Sequence, residues 1–166
     1  KLNHEIELFD GSTGQLIAWV NVTSLSSTID TVLYLYYGNA LCITQADVPG
    51  TWKTGYAGVW HMEDTTTSAI SDSTINDNDG VKSAANQPSE TPTKIGEGQS
   101  FDGVDDSISA ADDATLRPGS GDFTVSAWAY IKTESTGTEE GIVAKYPIGT
   151  GRTPMFTLEQ MNKYTR

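Results

Sequence analysis

An all-β, antiparallel fold is what this sequence predicts, and three observations predict it. Only 19% of the 166 residues are charged, while Ser, Thr, Gly, Asn and Asp abound; that balance suits turns and half-buried strands better than helices. From Leu16 to Val22 the chain alternates, with Leu16, Ala18, Val20 and Val22 on one face and Ile17, Trp19 and Asn21 on the other, the two-residue period of a strand. The run Ile95 to Ala110, IGEGQSFDGVDDSISA, sets two short apolar stretches around Phe101-Asp102-Gly103-Val104-Asp105-Asp106. Gly103 can take backbone angles closed to other residues and Asp side chains bond nearby amides, so this run reads as strand, tight turn, strand.

Taken in order, residues 3–10 offer a short strand with Ile6 and Leu8 on one face, closed by Asp10-Gly11. The stretch DGSTGQ is a turn framed by Gly11 and Gly14. After the Leu16–Val22 strand, a polar turn from Ser24 to Asp30 leads into TVLYLYY, Thr31 to Tyr37, which is apolar or aromatic on both faces and therefore predicts a strand covered on both sides. Residues 1–40 thus hold about three antiparallel strands, too few to close a core alone. Residues 41–56 carry Pro49-Gly50 and no sustained period, and read as a linker.

Gly58 to Met62, GVWHM, is the next strand candidate. Glu63 to Gly98 is acidic and polar, too rich in turn formers for a helix and too long for a bare loop, so a short irregular strand is expected near Val81. Phe123 to Ile131, FTVSAWAYI, is the best strand pattern in the sequence, and Pro154 to Arg166 reads as a strand and turn. A single cysteine, Cys42, rules out an internal disulfide; beside Leu41 and Ile43 it is expected to be a small buried hydrophobe.

The net charge of −12 argues against nucleic acid and anionic membrane surfaces as partners and leans toward a secreted, calcium-bathed setting. No apolar run approaches the ~20 residues that cross a bilayer. The chain opens KLNHEIELFD, without an initiator Met or a signal-peptide pattern, so both ends read as cuts through a longer protein.

The stretch ELFDGSTGQLIAWVNVTSLSSTIDTVLYLYYGNA, with FDGSTG, AWV and YYGN in order, resembles the C-terminal half of DUF2341, a small β domain of large bacterial and archaeal surface proteins. The series GVWHM, DSTINDNDG, IGEGQSFDGVDDSISA, FTVSAWAYIK, GIVAKY resembles the concanavalin A-like jelly roll of the laminin-G-like family. Together the resemblances imply a partial DUF2341-like domain over 1–40, a linker over 41–56, and a C-terminally incomplete laminin-G-like antiparallel β-sandwich over 57–166. They imply a microbial surface location and no established chemistry.

Catalytic patterns are weak. A retaining glycosidase needs two carboxylates about 5 Å apart, commonly at alternate positions of one strand; no E-x-D-x-x-E pattern occurs, and Glu139-Glu140 are adjacent, facing opposite ways in a strand. His4 and His61 are the only histidines, and neither is paired by motif with Ser or Cys; His61 reads as a partly buried strand residue. No phosphate-binding glycine loop or zinc spacing is present.

Calcium is the one cofactor the sequence suggests. Asp72, Asp77 and Asp79, in DSTINDNDG, are the preferred ligands over the FDGVDD acids, although Ile75 breaks an EF-hand pattern by occupying a ligand position. The competing reading is that these acids cap turns. Trp60, Trp128 and Tyr130 are the candidate ligand-binding aromatics, because sugars stack on such rings; Trp128 and Tyr130 share a face with Thr124 and Ser126, opposite Phe123, Val125, Ala127 and Ile131. Trp19 and Trp52 read as packing residues. Asn21-Val22-Thr23 is a glycosylation sequon. The sequence thus predicts a non-enzymatic recognition or adhesion module for glycans or surface proteins. Its rival is a structural subunit, self-assembling through open strand edges, and a glycoside hydrolase comes third.

Overall fold

The computed structural model describes residues 1–64, 69–83, 85–132, 140–146 and 155–160. Among them the fold is all-β, built from antiparallel strands; a four-residue helix and one 3-10 turn are the helical elements. The chain divides into two compact units, Lys1–Leu116 and Arg117–Arg166.

The first unit opens with a hairpin of β1 (His4–Asp10) and β2 (Gln15–Val20), paired from His4↔Val20 to Asp10↔Gln15. Its turn is built by Asp10, whose carboxylate accepts from Ser12 N (2.8 Å), Ser12 Oγ (2.6 Å) and Thr13 Oγ1 (2.6 Å), while Gly14 closes at φ 75°. Those donors, Ser12's hydroxyl first, hold the Asp10 carboxyl down at about 2. The register shifts between Ile6 and Leu8, a bulge at Glu7. On β1 the buried residues are Glu5 and Glu7, while Ile6 is exposed. The inward set is thus the opposite of the one that hydrophobicity selects.

Helix α1 (Val48–Thr51) lies inside the stretch expected to be a linker. Asp47 caps it, accepting from Gly50 N at 3.1 Å, with Pro49 in the first turn, where a missing N–H costs nothing. The helix is tied to the hairpin: Asp47 N donates to His4 O (2.9 Å), Asn3 Nδ2 to Gly50 O (3.1 Å) and Asn21 Nδ2 to Thr51 O (2.9 Å).

A three-stranded sheet follows, β3 (Ala69–Ile70), β4 (Gly80–Lys82) and β7 (Ile108–Ala110), with β4 central. The strand expected near Val81 is therefore present. Gly80 is required by close packing, since a Cβ there would sit 2.8 Å from Ile108 Cγ2. Ile70, 1% exposed, is the one fully buried hydrophobic side chain among the described residues. Lys82 Nζ lies 3.1 Å from Asp64 Oδ2, both side chains buried. A second hairpin pairs β5 (Ser89–Pro92) with β6 (Glu97–Ser100). Phe101–Asp106 joins β6 to β7, strands of different sheets, so the FDGVDD turn is a corner rather than a hairpin loop. The 3-10 turn Ala114–Leu116 follows.

In the second unit β8 (Glu140–Lys145) pairs with β9 (Phe156–Gln160), in keeping with the strand expected after Pro154. Phe123 packs on Phe156 with ring centroids 5.2 Å apart.

Three expected strands join no ladder among the described residues: 31–37, 58–62 and 123–131. Period and propensity describe one strand's side chains, but a ladder needs a second backbone in register; among the described residues 58–62 gains a single backbone bond, Ser73 N to Val59 O at 2.9 Å, and none of the three runs enters a ladder. Cys42 also departs from expectation and is exposed, because its neighbours Leu41 and Ile43 are themselves 93% and 80% exposed and supply no apolar envelope.

Candidate functional site

A buried polar cluster of the first unit forms where β1 meets Trp52, His61 and Ser73. Glu5 and Glu7, two apart on one strand, point to the same side, and their buried carboxylates need compensation. His61 supplies it: Nε2 lies 3.0 Å from Glu5 Oε2 and Nδ1 lies 3.4 Å from Glu7 Oε2. The indole N–H of Trp52 donates to Glu5, that of Trp19 donates to Glu7, and Ser73 Oγ donates to Glu5 Oε1 at 2.7 Å. The imidazole is 5.6 Å from the Trp19 ring, nearly parallel, and 5.8 Å from the Trp52 ring; Tyr56 meets Trp52 edge-on at 5.1 Å. The His61, Glu5 and Glu7 side chains are 10%, 10% and 2% exposed.

Burial pushes Glu5 toward the neutral acid, yet the bonds from His61, Trp52 and Ser73 prevail and hold its carboxyl below the ordinary range. For His61, burial opposes the charge but the Glu5 bond and the charges of Glu5, Glu7 and Glu63 outweigh it, raising its pKa. Glu63 is raised by burial and by Glu7. Glu5, His61 and Glu63 line a cleft of about 230 Å³ with Val48, Ser71, Asp72 and Ser73. Sequence reasoning missed this cluster, although the alternation Glu5-Ile6-Glu7 was its visible signal.

The three acids favoured for calcium take separate roles. Asp72 is buried, and its two oxygens accept from Val59 N (2.9 Å), Thr74 N (3.0 Å), Asn78 N (3.0 Å) and Thr74 Oγ1 (2.8 Å). Asp79 Oδ1 accepts from Asp72 N at 2.8 Å, and Asp77 is exposed at φ 50°. Among the described residues, the acids whose oxygens do converge are Asp102, Asp105 and Asp106. There Asp102 Oδ1 accepts from Val104 N (2.8 Å), Asp105 N and Asp106 N, and Asp106 Oδ2 accepts from Asp102 N (2.8 Å); these bonds, that from Val104 first, lower the Asp102 carboxyl. Both acidic loops are organised by side-chain to backbone bonds.

The candidate aromatics separate. Trp60 donates its indole N–H to Asn78 O at 2.8 Å and is half-buried against the 72–79 loop. Trp128 and Tyr130 are 82% and 86% exposed on the unpaired 123–131 run. The other uncovered aromatic run is 31–37, where Tyr36 and Tyr37 are each 90% exposed. Asn21 is half-buried with its amide on Thr51 O. Glu139 lies outside the described residues. No helix among the described residues is long and apolar enough to cross a membrane. Comparison with protein-family models, curated proteins and solved structures found no match.

Proposed function

We propose that this chain is a non-catalytic extracellular surface module that works by β-strand completion, lending an unpaired strand to a second copy of itself. The observation that carries this reading is Thr31–Tyr37: seven residues of strand sequence without a charge, in no ladder among the described residues, with Leu33, Tyr34, Leu35, Tyr36 and Tyr37 exposed. An unpaired apolar strand is a template for another backbone. In a chain of net charge −12, an uncharged run is where two copies can approach without strong repulsion. The DUF2341-like and laminin-G-like sequence patterns agree with a surface protein whose sandwich is completed by further strands.

A second reading rests on a different observation. Trp128 and Tyr130, two apart in sequence and both open to solvent, offer rings of the kind that take the apolar face of a sugar, which makes glycan recognition the ligand-binding role of the same module.

Light scattering on the purified chain tests the first reading. The expected result is a mass above that of one chain which Tyr36→Asp returns to the monomer value. A monomer at all accessible concentrations overturns it. Trp128→Ala leaves that mass unchanged and removes binding on a glycan array, if the aromatic pair is the sugar platform.

A further inference from the structure

We propose that His61 is a proton-operated latch: its doubly protonated ring clasps the β1–β2 hairpin, together with α1, onto the segments 57–64 and 69–73, and loss of one proton lets them go. The hairpin shares no ladder with β3–β4–β7 or β5–β6. It is held to the segments 57–64 and 69–73 by Glu5 on His61 and Ser73, by Glu7 on His61, and by the indole of Trp19 against the imidazole. Helix α1 moves with the hairpin because Asn3, Asn21 and Asp47 bind them together. Between α1 and the clasp the chain runs through exposed Lys53, Thr54 and Gly55, the last at φ 83°, a conformation natural to glycine and suited to a pivot.

The chemistry of the ring makes this a switch rather than a plain contact. Both ring nitrogens face carboxylate oxygens, Nε2 to Glu5 and Nδ1 to Glu7. Only the imidazolium carries a proton on each nitrogen; the neutral ring must turn a lone pair toward one of the two acids. Among the described residues, the charged groups gathered around the ring are acidic: Glu5 and Glu7 from β1, Glu63 from its own segment and Asp72 from the wall of the cleft, with Glu90 of β5 acting on Glu63. Deprotonation therefore leaves buried carboxylates facing a lone pair and one another. Because these acids raise the pKa of His61, the latch is fully closed below the ordinary histidine range and opens as pH climbs through the raised value.

Amide hydrogen exchange on the whole chain, followed by mass spectrometry across a pH series corrected for intrinsic exchange, tests this, with the His61 ring titration read by NMR on the same sample. Proton linkage makes the opening constant of β1 and β2 climb, by up to about tenfold per pH unit, between the ordinary histidine pKa and the raised His61 midpoint and level off above it, while β3–β4–β7 keeps its protection. His61→Gln gives a hairpin with low protection at every pH and no step; His4→Gln keeps the step. Glu7→Gln removes one acid and moves the step to lower pH, which keeps the proposal testable should His61→Gln not fold. Hairpin protection that stays flat through the His61 titration, or a step that survives in His61→Gln, overturns it.

Discussion

Replacing Asp72 by Ala removes one side chain on which the 57–79 region depends. The carboxylate accepts from three backbone amides, Val59, Thr74 and Asn78, and from the Thr74 hydroxyl. Asp72, Thr74 and Asn78 are buried, so the freed amides reach water poorly. Each unsatisfied buried donor costs about 1–3 kcal/mol; three of them, at the low end, cost about 3 kcal/mol, a large share of the ~5–15 kcal/mol a domain typically has. With a urea slope of about 2 kcal/mol/M, the midpoint falls by about 1.5 M. Asp72→Asn keeps one acceptor oxygen and should lose roughly half as much. Equilibrium urea unfolding, with the slope unchanged, is the assay. A loss under about 0.5 kcal/mol for Asp72→Ala would refute the reasoning, because the amides would then have found other partners. The same geometry predicts that no calcium-dependent rise of the midpoint depends on Asp72, since an ion there must displace amide donors from both oxygens; a midpoint that climbs with calcium in the wild type but not in Asp72→Asn would place an ion there after all.

Further outcomes are expected. Ile70→Ala empties the one fully buried apolar position among the described residues and should cost about 3 kcal/mol, seen as a lower thermal midpoint by circular dichroism. Gly96→Ala places a Cβ 2.7 Å from Glu7 Oε1 at a φ of 54°, so about 1–2 kcal/mol of destabilisation is expected in the same assay. The thermal midpoint should pass through a maximum with pH. Glu5, depressed in the fold, contributes stability above its ordinary carboxylate range and loses it as acid protonates it; His61, raised in the fold, contributes below the ordinary histidine range and loses it as alkali deprotonates it. Glu63, raised, works against Glu5 on the acid side and blunts that limb. A midpoint that climbs steadily from neutral to alkaline pH would contradict the His61 assignment.

What the sequence makes legible is local. The Asp10–Gly14 turn, the alternation in Leu16–Val20, the short strand at Val81 and the positive φ of Gly103 follow from residue chemistry within a few positions. What it hides is pairing. Thr31–Tyr37 and Phe123–Ile131 are the best strand patterns in the chain, yet a pattern specifies faces and leaves the neighbour unstated. The His61 cluster was hidden for a related reason: its members lie 56 residues apart in the chain, as Glu5 and His61, and hydrophobicity assigns Ile6 rather than Glu5 and Glu7 to the interior. The bulge at Glu7 and the indoles of Trp19 and Trp52 reverse that choice, since each buried acid gains an indole N–H donor and faces one nitrogen of the His61 ring.

Cys42 gives the exposed Tyr run a built-in ruler. It is the chain's single thiol, it is exposed, and it lies just beyond Tyr37. If two copies pair through residues 31–37 in parallel, their thiols come side by side, and mild oxidation joins them as a disulfide dimer. If they pair antiparallel, the thiols lie beyond opposite ends of the seven-residue run, itself roughly 23 Å long at ~3.3 Å per residue, and the same oxidation leaves them single. The direction of pairing can therefore be read from a non-reducing gel, on the unaltered chain.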